Sequence, residues 1–347
     1  WTFYYHNGQK LSEGVYEKGK RTGTWNSWYR DGSKKSILNY ENGHNVEWYQ
    51  NGNKRMEGRL VDGQKDSAWV FWFENGQLKS KVFFTKGEKD GLQTNWFPNG
   101  TKESEVQFKN GLKHGTAKWW LDDGKLDMKG NFEKDTMHGI WTYWRTDGKK
   151  GNEGPYVKGK MHGKWTYWYA NGQIWKQGKY VHDEKHGEWI TYFEDGSIFK
   201  KGKFDHGKET GLWTTWYENG NKEMEGYFDQ GIMDSIWNAW YENGNKEYTI
   251  IYKDNLKDGL AIYWFPNGKL RLKAGYAKGM YHGIYHTWSE NGFPKIQGNY
   301  NMGKKDGEWN YFGEYGQKMR QEFYVNGVPD GEWKSWYKEG PLESITT

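Results

Sequence analysis

Glycine recurs along this chain at a fixed interval. From Gly52 to Gly340 every 24th residue is a glycine, and Gly8 and Gly32 precede this series with the same spacing between them. Thirteen of these fifteen glycines follow Asn or Asp. A fixed period of this length is typical of tandem repeats, in which one small unit is stacked many times. The chain is therefore expected to build a surface from repeated units rather than a catalytic pocket.

The repeat predicts a single array of about 14 units over residues 1–347. The step from Gly32 to Gly52 is only 20 residues, which places a four-residue deletion near residues 43–48. Aromatic side chains must supply most of the apolar contacts, because the chain contains 24 Trp and 26 Tyr. Its 50 basic and 45 acidic residues are interspersed, without the basic stripe that nucleic-acid binding needs. No nucleic-acid partner is therefore predicted.

Each unit has the pattern of a β-hairpin. An Asn-Gly or Asp-Gly pair between aromatic segments is a strong hairpin signal. A Trp commonly lies seven residues before the turn glycine, a second aromatic residue lies four before it, and a strand glycine often lies six after it. Counting outward from the turn predicts that the first Trp faces that strand glycine and covers it with its ring. The predicted pairs are Trp141 with Gly154, Trp189 with Gly202, and Trp213 with Gly226.

The predicted fold class is all-β. Successive hairpins are expected to pair edge to edge as an elongated, twisted, single-layer antiparallel sheet, a solenoid-like ribbon. No segment shows the 3.6-residue period of an amphipathic helix. A second turn of the form Gly-Lys-x-His/Asp-Gly is expected between hairpins, as in 159–163 and 303–307.

These motifs resemble the MORN repeat variant of bacterial proteins, most clearly over residues 147–169 and 291–312. The resemblance covers essentially the whole chain. It implies an elongated single-layer β-sheet and a role in protein–protein contacts or scaffolding. It also implies two further possibilities, since some members are labelled antitoxin components of toxin–antitoxin systems and others are exported or lipid-anchored.

Histidine occupies one position in several repeats, and it raises the question of a metal site. Equivalent positions in neighbouring repeats are two strands apart, roughly 10 Å, whereas zinc ligands lie about 2.0–2.1 Å from one centre. Aspartate fills the same position in other repeats, which favours a polar turn residue. The sequence therefore predicts no metal site, no cofactor, no catalytic residues and no enzymatic activity. The histidines concerned are His114, His138, His162, His186 and His282.

The expected function is protein binding or scaffolding through an extended β surface. The second aromatic row supplies the candidate residues, because Trp and Tyr are frequent interface anchors. One alternative is binding of cell-envelope glycans or lipid headgroups, at a membrane surface, through exposed Trp rows. Another is an antitoxin that sequesters a protein toxin. The expected location is the cell envelope or surface after export, with the cytoplasm as the alternative, to be decided by a segment preceding Trp1. The candidate partner-binding residues are Trp120, Trp144, Trp168, Trp216, Trp240 and Trp264.

Overall fold

The computed structural model describes all 347 residues, and the chain divides into two compact units, Trp1–Gly172 and Gln173–Thr347. Both units are built from antiparallel strands joined by short turns, so the predicted all-β class and the tandem hairpins are confirmed. No helix of the length and hydropathy needed to cross a membrane is present. The single array over residues 1–347 stays a prediction.

The first unit contains seventeen strands. Each pairs with its neighbour in chain order, and β8 and β15 each pair with both halves of an interrupted return strand. The strands are β1 Thr2–Tyr4, β2 Lys10–Glu17, β3 Lys20–Trp28, β4 Lys34–Asn39, β5 Gly43–Trp48, β6 Lys54–Val61, β7 Gln64–Trp72, β8 Leu78–Thr85, β9 Glu88–Lys89, β10 Gly91–Trp96, β11 Lys102–Lys109, β12 Leu112–Trp120, β13 Leu126–Glu133, β14 Thr136–Trp144, β15 Lys150–Val157, β16 Lys160–Met161 and β17 Gly163–Trp168.

The second unit contains sixteen strands, again paired in chain order, with β30 paired to both β31 and β32. The strands are β18 Ile174–Val181, β19 Glu184–Tyr192, β20 Ile198–Asp205, β21 Lys208–Trp216, β22 Lys222–Asp229, β23 Ile232–Trp240, β24 Lys246–Lys253, β25 Leu256–Trp264, β26 Leu270–Ala277, β27 Met280–Trp288, β28 Pro294–Asn301, β29 Lys304–Phe312, β30 Lys318–Val325, β31 Val328–Pro329, β32 Trp333–Trp336 and β33 Leu342–Thr346.

The Asn/Asp-Gly pairs lie in the predicted hairpin turns. In one of them the Gly220 amide donates to the carbonyl of Tyr217 at 3.0 Å, and Gly220 has φ +84°. The Asn219 side chain makes hydrogen bonds in two successive turns. Its side-chain oxygen accepts from the Asn221 amide at 2.9 Å, and its Nδ2 donates to the carbonyl of Glu242 in the next turn at 2.9 Å. Asparagine at this position therefore closes its own turn and links it to the following repeat.

The second turn differs from the prediction in extent. Met302 and Gly303, with φ of +46° and +83°, are its two central residues. Asp306 and Gly307 lie inside the returning strand β29, where Gly307 has φ +72° next to a register shift. The predicted five-residue turn is thus a two-residue turn followed by a β-bulge, and glycine is favoured at both positions because both take positive φ.

The predicted strand register is confirmed, but the direction of the tryptophan rings is corrected. Trp189 is opposite Gly202 on β20, as predicted, and it is also opposite Gly178 on β18. Its ring lies over Gly178, where an added Cβ would overlap the indole, while Gly202 is covered by Trp213. Each ring therefore covers the glycine on the strand before it, not the one across its own hairpin.

A hydrogen bond explains this direction. The register shifts between Gly178 and Lys179, and Trp189 Nε1 donates to the Lys179 carbonyl at 3.0 Å. A bulge leaves a ladder carbonyl without a strand partner, and the indole N–H satisfies it. We call the tryptophans with this arrangement the lock tryptophans. The face of the sheet that carries them is the lock face. The tryptophans that make this bond and also cover a strand glycine are Trp25, Trp69, Trp141, Trp165, Trp189, Trp213, Trp237 and Trp309. Trp333 makes the same bond, to the Phe323 carbonyl at 3.3 Å.

Candidate protein-binding face

The second aromatic row lies on the opposite face of the sheet. Trp213 and Trp216 are three residues apart on β21, and side chains on a strand alternate between faces. Trp216 is opposite Lys222, and Lys222 Nζ lies 5.7 Å from the ring centroid of Trp240 on the next hairpin. Aromatic rings and lysines therefore alternate across this part of the second unit. We call this face the ladder face.

The ladder continues from Trp240 in the second unit. Trp240 is opposite Lys246, whose Nζ lies 5.7 Å from the ring centroid of Trp264. Each ammonium near the ring of an adjacent hairpin makes a cation–π contact, worth about 0.5–1 kcal/mol at a solvent-exposed site. Such contacts tie each hairpin to the next on this face. The predicted residues Trp216, Trp240 and Trp264 thus belong to one continuous row.

The first unit carries the same arrangement. Lys150 is opposite Trp144, and its Nζ lies 5.6 Å from the ring centroid of Trp168. Trp120 has Lys102 at 5.8 Å. The predicted residues of this unit therefore have the same lysine neighbours as those of the second unit.

Ion pairs accompany the ladder lysines. Lys222 Nζ lies 2.6 Å from Glu225 Oε2, and Glu225 is opposite Thr214, also on the ladder face. Surface pairs of this kind contribute about 0–1 kcal/mol each. They balance the charge of the face, so electrostatic attraction does not favour a strongly acidic or basic partner. The same lysine–glutamate spacing gives the pairs Lys10–Glu13, Lys54–Glu57, Lys102–Glu105 and Lys150–Glu153.

The expectation of exposed Trp rows is wrong. All six candidate tryptophans are half-buried, and among all the tryptophans of the chain only Trp1 and Trp175 are strongly exposed. Lysine side chains lie beside four of these rings, those of Trp120, Trp168, Trp240 and Trp264. The rings present edges and partial faces to solvent instead of free faces.

An exposed apolar strip lies beside the ladder in the second unit, and sequence reasoning missed it. Leu212 and Tyr227 are opposite each other on β21 and β22, with 42% and 48% of their surface exposed. Ile236 on β23 is 50% exposed and is opposite Ile251. Leu212 and Ile236 share the ladder face with Trp216 and Trp240, because each is four residues away on the same strand. We define Leu212, Tyr227, Ile236 and Ile251 as the apolar strip.

The strip lies at positions whose residue type varies from copy to copy, which is why periodicity did not reveal it. Some copies carry charged residues there, such as Glu188 opposite Lys203 on β19 and β20. Glu308 on β29 occupies the same position again. Two consecutive copies with large apolar residues at both facing positions are the signal that the sequence offered.

The lock face is largely satisfied by its own packing. Phe228 meets the ring of Trp237 edge to face, with centroids 5.0 Å apart and planes at 86°. Trp213 is 6% exposed and Trp237 is 2% exposed. These rings contribute to stability by burial and edge-to-face contact, and they leave little surface for a partner.

Comparison with known families gives a repeated match. The model described as the MORN repeat variant matches nine segments that together make up more than half of the chain. The chain belongs to the MORN repeat variant family. The matched segments are residues 1–18, 21–42, 65–86, 89–110, 113–134, 161–182, 185–206, 209–230 and 257–278.

Solved structures similar to this MORN-variant protein include a crystal structure of TcdB2-TccC3-TEV and a structure of the Photorhabdus luminescens Tc holotoxin pore. Both match at 10% identity, over 95% and 98% of this chain. The chain spans only 21% and 23% of the length of those chains, with TM-scores of 0.17 and 0.18. Similarity this low carries no argument about function. No curated protein gives a significant match to the chain.

Proposed function

We propose that this MORN-variant repeat protein is a non-enzymatic binding or scaffold protein that engages another protein through its ladder face. The observation that carries the proposal is the apolar strip. Leu212, Tyr227 and Ile236 are each 42–50% exposed on neighbouring strands, next to half-buried Trp216 and Trp240. Contiguous apolar surface with a polar surround is typical of protein-interaction sites.

The chemistry of the face suggests what kind of partner fits. An apolar centre flanked by paired lysines and glutamates resembles an interface core with a polar rim. The matching surface is a protein segment with two or three adjacent apolar side chains and charged residues of both signs around them. The ladder recurs in both units, so a partner that spans several copies gains affinity with each copy that it engages.

The test is capture of partners from the source cells by three immobilised proteins, with quantitative mass spectrometry. The proteins are the wild type, a strip variant and a control variant. The strip variant carries Leu212→Ser, Tyr227→Ser and Ile236→Ser. The control variant carries Glu188→Ser, Lys203→Ser and Glu308→Ser, which alter the same positions in copies without the strip.

The proposal predicts at least one protein that the wild type and the control retain and the strip variant loses, with circular dichroism unchanged in all three. A photo-crosslinking residue at position 236 should then form a covalent adduct with that protein, and one at position 188 should not. Identical captured sets for the wild type and the strip variant contradict the proposal.

Binding of glycans or lipid headgroups through the Trp rows has less support. Sugars and quaternary amines stack on free ring faces, whereas the ladder rings are half-buried and several have a lysine of the chain beside them. Sequestration of a toxin is one form of the proposed protein binding. The cell-envelope location stays an expectation, as does the cytoplasmic alternative.

A further inference from the structure

Two histidines and an aspartate meet at one edge of the second unit. His206 Nδ1 lies 2.9 Å from Asp205 Oδ1, and His186 Nδ1 lies 3.5 Å from the same oxygen. One ligand atom from each of the three residues lies within 4.8 Å of the other two. The rings of His186 and His206 have centroids 5.9 Å apart at an angle of 72°.

The backbone holds these residues together. His186 lies on β19, Asp205 ends β20, and His206 with Gly207 forms the turn that leads to β21. The Gly207 amide donates to the carbonyl of Lys185 at 2.9 Å, which fixes the turn against the residue next to His186. His206 takes φ +46°, as the first residue of a tight two-residue turn requires. Three residues from two adjacent strands and their turn are therefore placed by main-chain bonds.

Gln230 orients the carboxylate. Its Nε2 donates to Asp205 Oδ2 at 3.2 Å, while both histidines face the other oxygen, Oδ1. Outer hydrogen bonds of this type commonly fix the orientation of metal-binding carboxylates.

We propose that His186, Asp205 and His206 form a binding site for a divalent transition-metal ion such as Zn²⁺. Two imidazoles and one carboxylate suit zinc, nickel, copper and iron, in contrast to the all-oxygen sites of magnesium and calcium. With metal–ligand bonds of about 2.0–2.1 Å, two ligands of a tetrahedral ion lie about 3.4 Å apart. The two Nδ1–Oδ1 distances, 2.9 and 3.5 Å, lie on either side of this value. One coordination position is left for water.

The site differs from the metal site rejected on sequence grounds. Histidines in neighbouring copies do not converge, but one histidine of the row meets the two residues that lie 19 and 20 positions later. Of the five histidines in that row, only His186 has both a carboxylate and a second histidine at those positions. The corresponding residues are Glu133 and Lys134 for His114, Val157 and Lys158 for His138, Val181 and His182 for His162, and Asn301 and Met302 for His282.

Isothermal titration of the untagged full chain with ZnCl₂ tests the site. The wild type should bind one equivalent, and His186→Asn and His206→Asn should each weaken that binding at least tenfold. His138→Asn is the matched control, because it removes a histidine at the same strand position without the two partners, and it should leave the binding unchanged. MgCl₂ should not compete. Loss of zinc binding only in His138→Asn, or equal binding in all variants, overturns the proposal.

A transplanted site tests the geometry independently of any single deletion. Met302 and Gly303 have φ of +46° and +83°, close to the +46° and +80° of His206 and Gly207. The Gly303 amide also donates to the residue before His282, at 2.8 Å to the Tyr281 carbonyl. Adding Asn301→Asp and Met302→His next to His282 should therefore create a second zinc equivalent. A folded variant that still binds only one equivalent contradicts the geometric argument.

Discussion

Two pairs of adjacent strands in the second unit, which we call strand junctions, carry different residues at equivalent buried positions. Between β22 and β23, the ring of Trp237 lies over Gly226. Two strands later, between β24 and β25, Ile250 is opposite Ala261 at the equivalent positions. Both junctions exclude solvent, since Trp237, Ile250 and Ala261 are only 2%, 3% and 1% exposed. At these two junctions the indole ring lies on a bare glycine and the branched aliphatic residue meets a small partner, so we expect each pair to be selected as a unit.

The first unit also contains a junction with an aliphatic pair, and it contains one junction in which a polar residue replaces the tryptophan. Val106 is opposite Ala117, with 7% and 0% exposed. In the shortened repeat, Asn45 stands where the lock tryptophan is expected, and it is 2% exposed. Its Oδ1 accepts from the Asn39 amide at 2.6 Å, but its Nδ2 has no hydrogen-bond partner. A buried unsatisfied amide destabilises the fold, so this junction is expected to be weaker than its neighbours.

The largest expected loss of stability comes from placing a residue of one junction type against a residue of the other. Gly226→Ile places a branched side chain in the space of the Trp237 ring, and Ala261→Trp places a ring against Ile250. We expect each to lower the free energy of unfolding by about 1–3 kcal/mol, as for other overpacked sites, measured by urea denaturation. Lys203→Ile on the ladder face is the control, with an expected change within about 0.5 kcal/mol. Equal effects of the three substitutions contradict the comparison.

Replacing both residues of the Ile250–Ala261 pair should recover part of the lost stability. Ile250→Gly combined with Ala261→Trp recreates the ring-on-glycine junction found at Gly226. The double variant should be more stable than the sum of the two single effects predicts, with a coupling energy of about 0.5–3 kcal/mol. Strict additivity in this double-mutant cycle contradicts selection of the pair as a unit.

Replacement of a lock tryptophan by phenylalanine should have a smaller effect. Trp237→Phe keeps an aromatic ring over Gly226 but loses the bond from Nε1 to the Tyr227 carbonyl, 3.2 Å long. A loss of about 0.5–1.5 kcal/mol is expected, the net contribution of a typical intramolecular hydrogen bond. Tyr227→Phe is the control, because it removes a solvent-exposed hydroxyl and leaves the accepting main-chain carbonyl in place. No change in urea midpoint for Trp237→Phe contradicts the role assigned to the hydrogen bond.

The smallest expected effect is a loss of stability at alkaline pH, caused by Tyr248 close to the Ile250–Ala261 junction. Burial raises the pKa of Tyr248 to about 12, from a usual value of 10.0. The folded protein therefore keeps this proton while the unfolded chain loses it, so stability should fall as the pH rises from about 10 to 12. Tyr248→Phe should reduce this fall. Thermal melts of both proteins at pH 8 and pH 11 measure it, and equal losses of Tm contradict it.

The sequence sufficed for the fold class, the turn positions and the strand register, because these follow from glycine spacing and hairpin geometry. It did not determine which of two neighbouring glycines each ring covers. Trp189 is opposite both Gly178 and Gly202, and the choice depends on the Lys179 carbonyl left open by a bulge. One signal was available: alanine replaces the tryptophan eleven residues after Val106 and Ile250.

The candidate site was predicted only in part. The ladder row was identified from its position, but its half-burial depends on lysines contributed by adjacent hairpins, as Lys222 does for Trp240. The apolar strip and the His186 cluster were missed for a common reason. Both lie at positions whose residue type varies between copies, and the repeat period carries no information about such positions.

The central claim is that the two tryptophan rows have different roles, with one locking the strands and the other forming part of a surface. Proton exchange of the indole N–H groups tests it most directly, by NMR of protein labelled with ¹⁵N-tryptophan and assigned with Trp→Phe variants. The account predicts slow exchange for Trp141, Trp213 and Trp237, whose N–H groups are hydrogen-bonded beneath buried rings. It predicts fast exchange for the ladder residues Trp216 and Trp240. Equal exchange rates in the two rows, or slower exchange in the ladder, would contradict it.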